Sequence, residues 1–150
     1  MIPLKSFSFV LLLLFPFTAL STEPRSPLMP PFEQTIENTV KRFIAAFNAH
    51  DSHAMANLVT DDIEWLSISN KKVMIEARGK QALIESMNAY FKACPTCRSE
   101  LTHTISTNQR VSAVEVAHWQ GKNGPSSQQS MSVYAFSNGM ISRVYYFPAE

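Results

Sequence analysis

The sequence predicts an α+β fold, with helices laid on one face of a strongly curved, antiparallel or mixed sheet. Three observations carry that expectation. Apolar residues recur at helical spacing before residue 95, as in Val40, Phe43, Ile44 and Phe47. From Arg98 onward the period falls to two, the signature of half-buried strands. Asn138-Gly139, set between two alternating apolar runs, is a strong hairpin signal.

The elements follow in order. Helix 1 is expected over 33–49. The break Asn48-Ala49-His50-Asp51 ends it, and Asp51 or Ser52 can cap a second helix over 52–59. Asp61-Asp62 interrupts that stripe, and a first strand runs over 63–69. A turn at Asn70-Lys71-Lys72 leads to a second strand over 73–77. Gly79 punctuates before a third helix over 80–94. Its Leu83, Ile84, Met87, Tyr90 and Phe91 share a face, and Pro95 ends it. The short strand pair should join the edge of the sheet. Downstream, Leu101, His103 and Ile105 alternate with threonines. Long strands are then expected over 111–120, 127–136 and 140–147, the first two joined by a turn at 121–125.

The chain has 150 residues, 45% of them apolar, which suits one folded domain with a substantial core. Residues 1–21 read as a signal peptide. Lys5 gives the positive start, Phe7 to Leu20 the uncharged apolar run, and Ala19-Leu20-Ser21 the cleavage site. The apolar run is about 14 residues, short of the roughly 20 that a membrane span needs, which ranks cleavage above an uncleaved anchor. Residues 22–32, rich in proline, read as an extended leader, and 33–150 as the domain. Lys5 is the one charge in the first 21 residues, so the remainder carries twelve basic and twelve acidic groups. A net charge of zero argues against nucleic acid and gives no support to an anionic membrane surface after signal cleavage. Export, periplasmic or secreted, would place Cys94 and Cys97 where disulfides persist. Three readings of Cys-Pro-Thr-Cys compete. A local structural disulfide leads. A redox-active pair would sit at a helix start, whereas this motif follows a helix, and zinc would need a second Cys/His pair.

Two stretches carry a family resemblance: Phe43-Ile44-Ala45-Ala46-Phe47-Asn48-Ala49-His50-Asp51, then Met55-Ala56-Asn57-Leu58-Val59-Thr60-Asp61-Asp62-Ile63-Glu64-Trp65. With Gly79-Lys80, Trp119-Gln120-Gly121 and Asn138-Gly139-Met140-Ile141, their order resembles the nuclear transport factor 2-like superfamily. That group includes SnoaL-like polyketide cyclases and ketosteroid isomerases. The resemblance spans about residues 33 to 148. It implies a cone-shaped sheet wrapped around the three helices of the N-terminal half, an apolar pocket inside, and a homodimer formed through the outer sheet face. Ketosteroid isomerases place an Asp, a Tyr and a protonated acid at positions that correspond here to Ser67, Phe43 and the neighbourhood of Ser132. A serine lacking a base moves no proton near neutral pH, and Phe43 has no donor, so that chemistry is not expected.

Period two from the matched positions puts Ile63, Trp65 and Ser67 inward on the first strand. On the later strands it puts Ala113, Glu115, Ala117 and Trp119 inward, then Ile141, Arg143, Tyr145 and Phe147. With Phe43, Phe47, Ser132 and Tyr134 these make the expected pocket for a small apolar or aromatic molecule. Glu115 and Arg143 interrupt apolar strands, so they should pair with each other, face an open pocket, or lie solvated outside. The functional version makes Arg143 a polar anchor and Glu115 a base, for an isomerase, cyclase or lyase using Arg143 or Tyr145. A third reading is a dimeric interaction module whose cone is filled and whose working face carries His118 and Tyr146. His50 and His53 read as solvated loop residues rather than metal ligands, since a third ligand is missing. No cofactor or metal is expected: with four glycines, a nucleotide loop is excluded in practice.

Overall fold

The computed structural model describes residues 31–149, with side chains from Thr35 onward. The expected signal peptide and most of the expected leader fall outside the described residues. Pro31 and Phe32, expected in the leader, instead open helix α1 (Pro31–Asn48). Proline suits a first helical position because its missing N–H has no intrahelical partner there.

Ile36, Val40 and Phe43 of α1 are fully buried, and Ile44 and Ala46 nearly so, which is the stripe the helical period places on one face. The helix ends in a Schellman turn. His50 takes φ 55°, its N–H donates to the Phe47 carbonyl, and the Asp51 N–H donates to the Ala46 carbonyl. Asp51 then caps α2 (Ser52–Ala56), its carboxylate accepting from the Ala54 N–H at 2.8 Å. That helix stops three residues short of the expected end, because Val59 already belongs to strand β1 (Val59–Ser69).

β1 turns at Asn70-Lys71, both at positive φ, into β2 (Lys72–Arg78). Gly79, at φ 85°, donates its N–H to the Ile63 carbonyl at 2.7 Å and leads into α3 (Lys80–Ala93). Four long strands follow: β3 (Arg98–Thr107), β4 (Arg110–Gly121), β5 (Gly124–Ser137) and β6 (Met140–Phe147). They form one six-stranded curved sheet in the order β2-β1-β6-β5-β4-β3, antiparallel except where β1 runs parallel to β6. The α+β expectation therefore holds, and the short pair β1–β2 does extend the sheet to its edge.

Two bulges decide what faces inward. In β6, Ile141 pairs with Phe136 but Arg143 pairs with Ala135, so Ser142 is an extra residue. An extra residue reverses the alternation beyond it. Ile141 is inward as expected, but Val144 and Tyr146 then face the core, not Arg143, Tyr145 and Phe147. In β3, Leu101 pairs with Glu115 and His103 with Val114, which makes Thr102 the extra residue. Thr104 and Ser106 consequently turn toward α1, where both donate to Glu37 at 3.1 Å, while Ile105 is left 71% exposed.

Candidate functional site

The space between α1, α3 and the concave sheet is not filled. A cavity of about 310 Å³ remains, within the low end of the range typical for small-molecule sites. Phe43 and Phe47 supply its α1 wall, Met87 and Tyr90 its α3 wall, and Trp65 and Ser67 line it from β1. Val144 and Tyr146 close the β6 side, and Tyr134 the β5 side. Trp65 and Tyr134 both pack on Phe43, each with ring centroids 6.1 Å apart.

The polar end of the cavity is built around Glu115 on β4, which is 7% exposed. Tyr134 donates its phenol to Oε1 at 2.5 Å, and Ser132 donates to the same oxygen. Ser99 donates to Oε2 at 2.9 Å. The sheet register explains the convergence. Glu115 lies opposite Ser130, so Ser132 is a diagonal neighbour on the same face. On the other side it lies opposite Leu101, with Ser99 one pleat away. Burial, and next the negative charge of Glu115, push the Tyr134 phenol well above its ordinary value of 10.0, so it remains a proton donor. Ser130, 6% exposed, lines the cavity beside Glu115, and its hydroxyl has no hydrogen-bond partner.

Ser99 is itself held from behind. Asn48, at the end of α1, accepts from the Ser99 N–H at 2.7 Å and donates to its carbonyl at 2.8 Å. Cys94 and Cys97 are joined as a disulfide, which ties the end of α3 to the start of β3. The Tyr90 phenol, on the cavity wall, donates to Cys97 Sγ at 3.3 Å. Arg98 donates to the Cys97 carbonyl and to His50 Nε2, each at 2.7 Å, and His50 stacks on Phe91 at 4.5 Å. His50 is thus a packed hinge residue, not the solvated loop group expected; His53 is exposed. Among the described residues, no three His, Cys, Asp or Glu side chains are grouped to hold a metal ion.

Of the residues expected in the pocket, Phe43, Phe47, Trp65, Ser67, Glu115, Ala117 and Tyr134 line the cavity. Ser132 sits behind it, fully buried, as a donor to Glu115. Trp119 shares the inward face of β4 but lies beyond the cavity, near the turn at Gly121. Arg143 and Tyr145 lie on the opposite face of the sheet, and the reason is the bulge at Ser142. Arg143 pairs with Glu64 of β1 at 2.5 Å and not with Glu115. Arg78 binds the other oxygen of Glu64 at 2.9 Å. The hydrogen bond from Arg143 is the largest influence holding the Glu64 carboxyl below its ordinary range. Tyr146, assigned to the outer working face, is inside.

Sequence reasoning missed Ser99, Ser130, Tyr90 and Tyr146. A signal for Ser130 existed. Once the β4–β5 turn is placed at Lys122-Asn123, equal counting back along both strands puts Ser130 opposite Glu115. Tyr146 had one too. Ile141 and Val144 are three residues apart, and two apolar residues at that spacing face the same side of a strand only across a bulge.

Comparison with known proteins agrees with this geometry. The model of the SnoaL-like domain family matches residues 40–144. No curated protein matches the chain. Among solved structures, an uncharacterised cystatin-fold protein from Novosphingobium aromaticivorans is similar at 24% identity and a TM-score of 0.64, over 75% of this chain and 96% of that one. A putative polyketide cyclase from Xanthomonas campestris pv. campestris is 19% identical, with a TM-score of 0.58 over 78% and 92%. A putative SnoaL-like polyketide cyclase from Jannaschia sp. CCS1 is 12% identical, with a TM-score of 0.67 over 79% and 88%. At these identities the likeness concerns the fold.

Proposed function

The chain belongs to the SnoaL-like domain family, and from that premise we propose that it binds a small, largely apolar or aromatic molecule inside its cone, anchored at Glu115. One observation carries this reading: a ring-walled cavity that ends at the buried carboxyl of Glu115. Small-molecule sites are mostly apolar and aromatic with a few placed polar groups, and a ring-lined space closed by one carboxyl has that composition. The description of two structural neighbours as putative polyketide cyclases supports a small organic ligand.

Native mass spectrometry of the purified protein tests the reading. A retained small molecule, or uptake of an added naphthalene derivative, is expected. Protein that carries nothing and takes up nothing from such additions would refute it.

An enzymatic version, of the isomerase, cyclase or lyase type, loses Arg143 and Tyr145 and keeps Glu115 with Tyr134 as its acid–base pair. The observation in its favour is the contact of that carboxyl with both the cavity and a protonated phenol. A filled cone finds no support, given the open cavity. Dimerisation remains part of the proposal. Val114, Met131 and Phe147, cross-strand neighbours with opposite facing to Glu115, line the outer sheet face beside Val133 and Tyr145. Export likewise remains, supported by the Cys94–Cys97 disulfide, as does the absence of nucleic acid from the partners, supported by the balanced charge. N-terminal sequencing of the protein from its native host, expected to begin near Thr22, tests export.

A further inference from the structure

We propose that the cavity selects protonated amines: its ligand offers an ammonium group to Glu115 and an aromatic or alkyl body to the rings around it. This rests on the reading of the cavity as a small-molecule site and adds the charge of the molecule.

The first argument is electrostatic. Two carboxyl groups line the cavity, Glu115 at its buried end and Glu76, exposed on β2. Among the described residues that line it there is no Lys, Arg or His. An anionic ligand would bring a second negative charge against a desolvated carboxylate, with nothing to offset it. A cation meets the opposite situation, since it would neutralise a charge that has only hydroxyl donors around it.

The second argument counts hydrogen bonds. A carboxylate offers about four acceptor positions. Ser132 and Tyr134 use both of those on Oε1, and Ser99 uses one on Oε2. One position on Oε2 is left. Ser130, directly opposite Glu115 in the β4–β5 ladder, is buried and makes no hydrogen bond to that oxygen, so the position is left to the ligand. A protonated amine fills that position with a charge-assisted N–H bond and an alcohol with a neutral O–H bond, whereas a carboxylate ligand has no donor for it.

The third argument is the wall itself. Phe43, Phe47, Trp65, Tyr90, Tyr134 and Tyr146 surround the space in front of Glu115. Aromatic faces attract a desolvated cation as well as an apolar body.

Isothermal titration at pH 7 with three compounds of one shape tests the proposal: naphthalen-1-ylmethylamine, naphthalen-1-ylmethanol and naphthalene-1-carboxylate. The amine should bind about tenfold or more tighter than the alcohol, with the carboxylate weakest, as expected for a charge-assisted bond against a neutral one. Glu115→Gln should bring the amine down to the affinity of the alcohol in the same variant, because the charge that separates them is gone. Should that variant fail to fold by circular dichroism, titrations of the parent protein at pH 7 and about pH 10 carry the test: the amine should lose its lead as it deprotonates, while the alcohol, which does not titrate, serves as the reference at each pH. An alcohol that binds as well as the amine would overturn the amine proposal and leave the small-molecule reading standing. Failure of all three compounds to bind would overturn both.

Discussion

At the scale of single residues, Glu115 is the group on which most depends. Its carboxyl is the common acceptor for Ser99, Ser132 and Tyr134, so its removal strands three donors at once. An unsatisfied buried donor costs about 1–3 kcal/mol, and Ser99 is partly reached by water, so Glu115→Ala should lower stability by about 3 kcal/mol in urea unfolding. A loss below about 0.5 kcal/mol, the scale of ordinary surface changes, would mean that the cluster does not hold the sheet. Tyr134 adds a dependence on pH. Its phenol is raised in the folded state by burial first and by Glu115 second, while the unfolded phenol ionises near 10. Above about pH 10 the unfolded chain thus holds fewer protons than the folded one, and stability must fall as pH rises. Tyr90 is raised in the same sense, again mainly by burial. Tyr134→Phe should flatten this alkaline limb without abolishing it, as read from urea midpoints between about pH 8 and 10.5. Equal slopes in variant and parent would contradict the assignment. Arg143 makes the contrasting case. It lies on the outer face at 45% side-chain exposure, so Arg143→Ala should leave ligand affinity within about twofold and cost under about 1 kcal/mol, the usual worth of an exposed pair. A tenfold loss of affinity would return Arg143 to the site.

At the scale of elements, the join between α3 and β3 sets the position of Ser99 and Tyr90, two parts of the cavity wall. The Cys94–Cys97 disulfide closes a very short loop, so its effect on the unfolded chain is about 2 kcal/mol in the chain-entropy description. Reduction with dithiothreitol should therefore lower the thermal midpoint by several degrees, and should weaken binding of a naphthalene probe by moving Tyr90 and Ser99. If the midpoint falls and affinity does not, the disulfide supports the fold alone. The elements themselves were largely legible from sequence, because helical spacing, the Asp51 cap and Asn138-Gly139 each have a direct local cause. The inward faces were legible only up to the first irregularity. On β4, where the ladder runs without a bulge, Ala113, Glu115 and Ala117 fall as period two requires. On β6 a single extra residue at Ser142 sent Arg143 out and Tyr146 in. Alternation is a local rule, but a bulge is set by the twist of neighbouring strands and by what α1 must cover. That is why the pocket could be foreseen as a place while half of its polar chemistry could not.

At the scale of the whole molecule, the parallel contact of β1 with β6 brings the two halves of the chain together and leaves one sheet with two different faces. The concave face holds the helices and the cavity; the convex face carries the apolar row that includes Val114, Met131 and Phe147. Neighbouring residues of β4 separate the two roles, because Ala117 lines the cavity and Val116 points the other way. Ala117→Phe should fill part of the empty volume. Cavity filling commonly adds about 0.5–2 kcal/mol, so its thermal midpoint should hold or rise while uptake of a naphthalene probe is lost. Val116→Phe should leave probe affinity unchanged and, if the outer face joins two copies, shift the subunit count measured by sedimentation equilibrium. Unchanged probe binding in Ala117→Phe would place the ligand outside the cone. Loss of binding in Val116→Phe would tie the two faces together, and only then would the sheet have to be treated as one site rather than a wall between two.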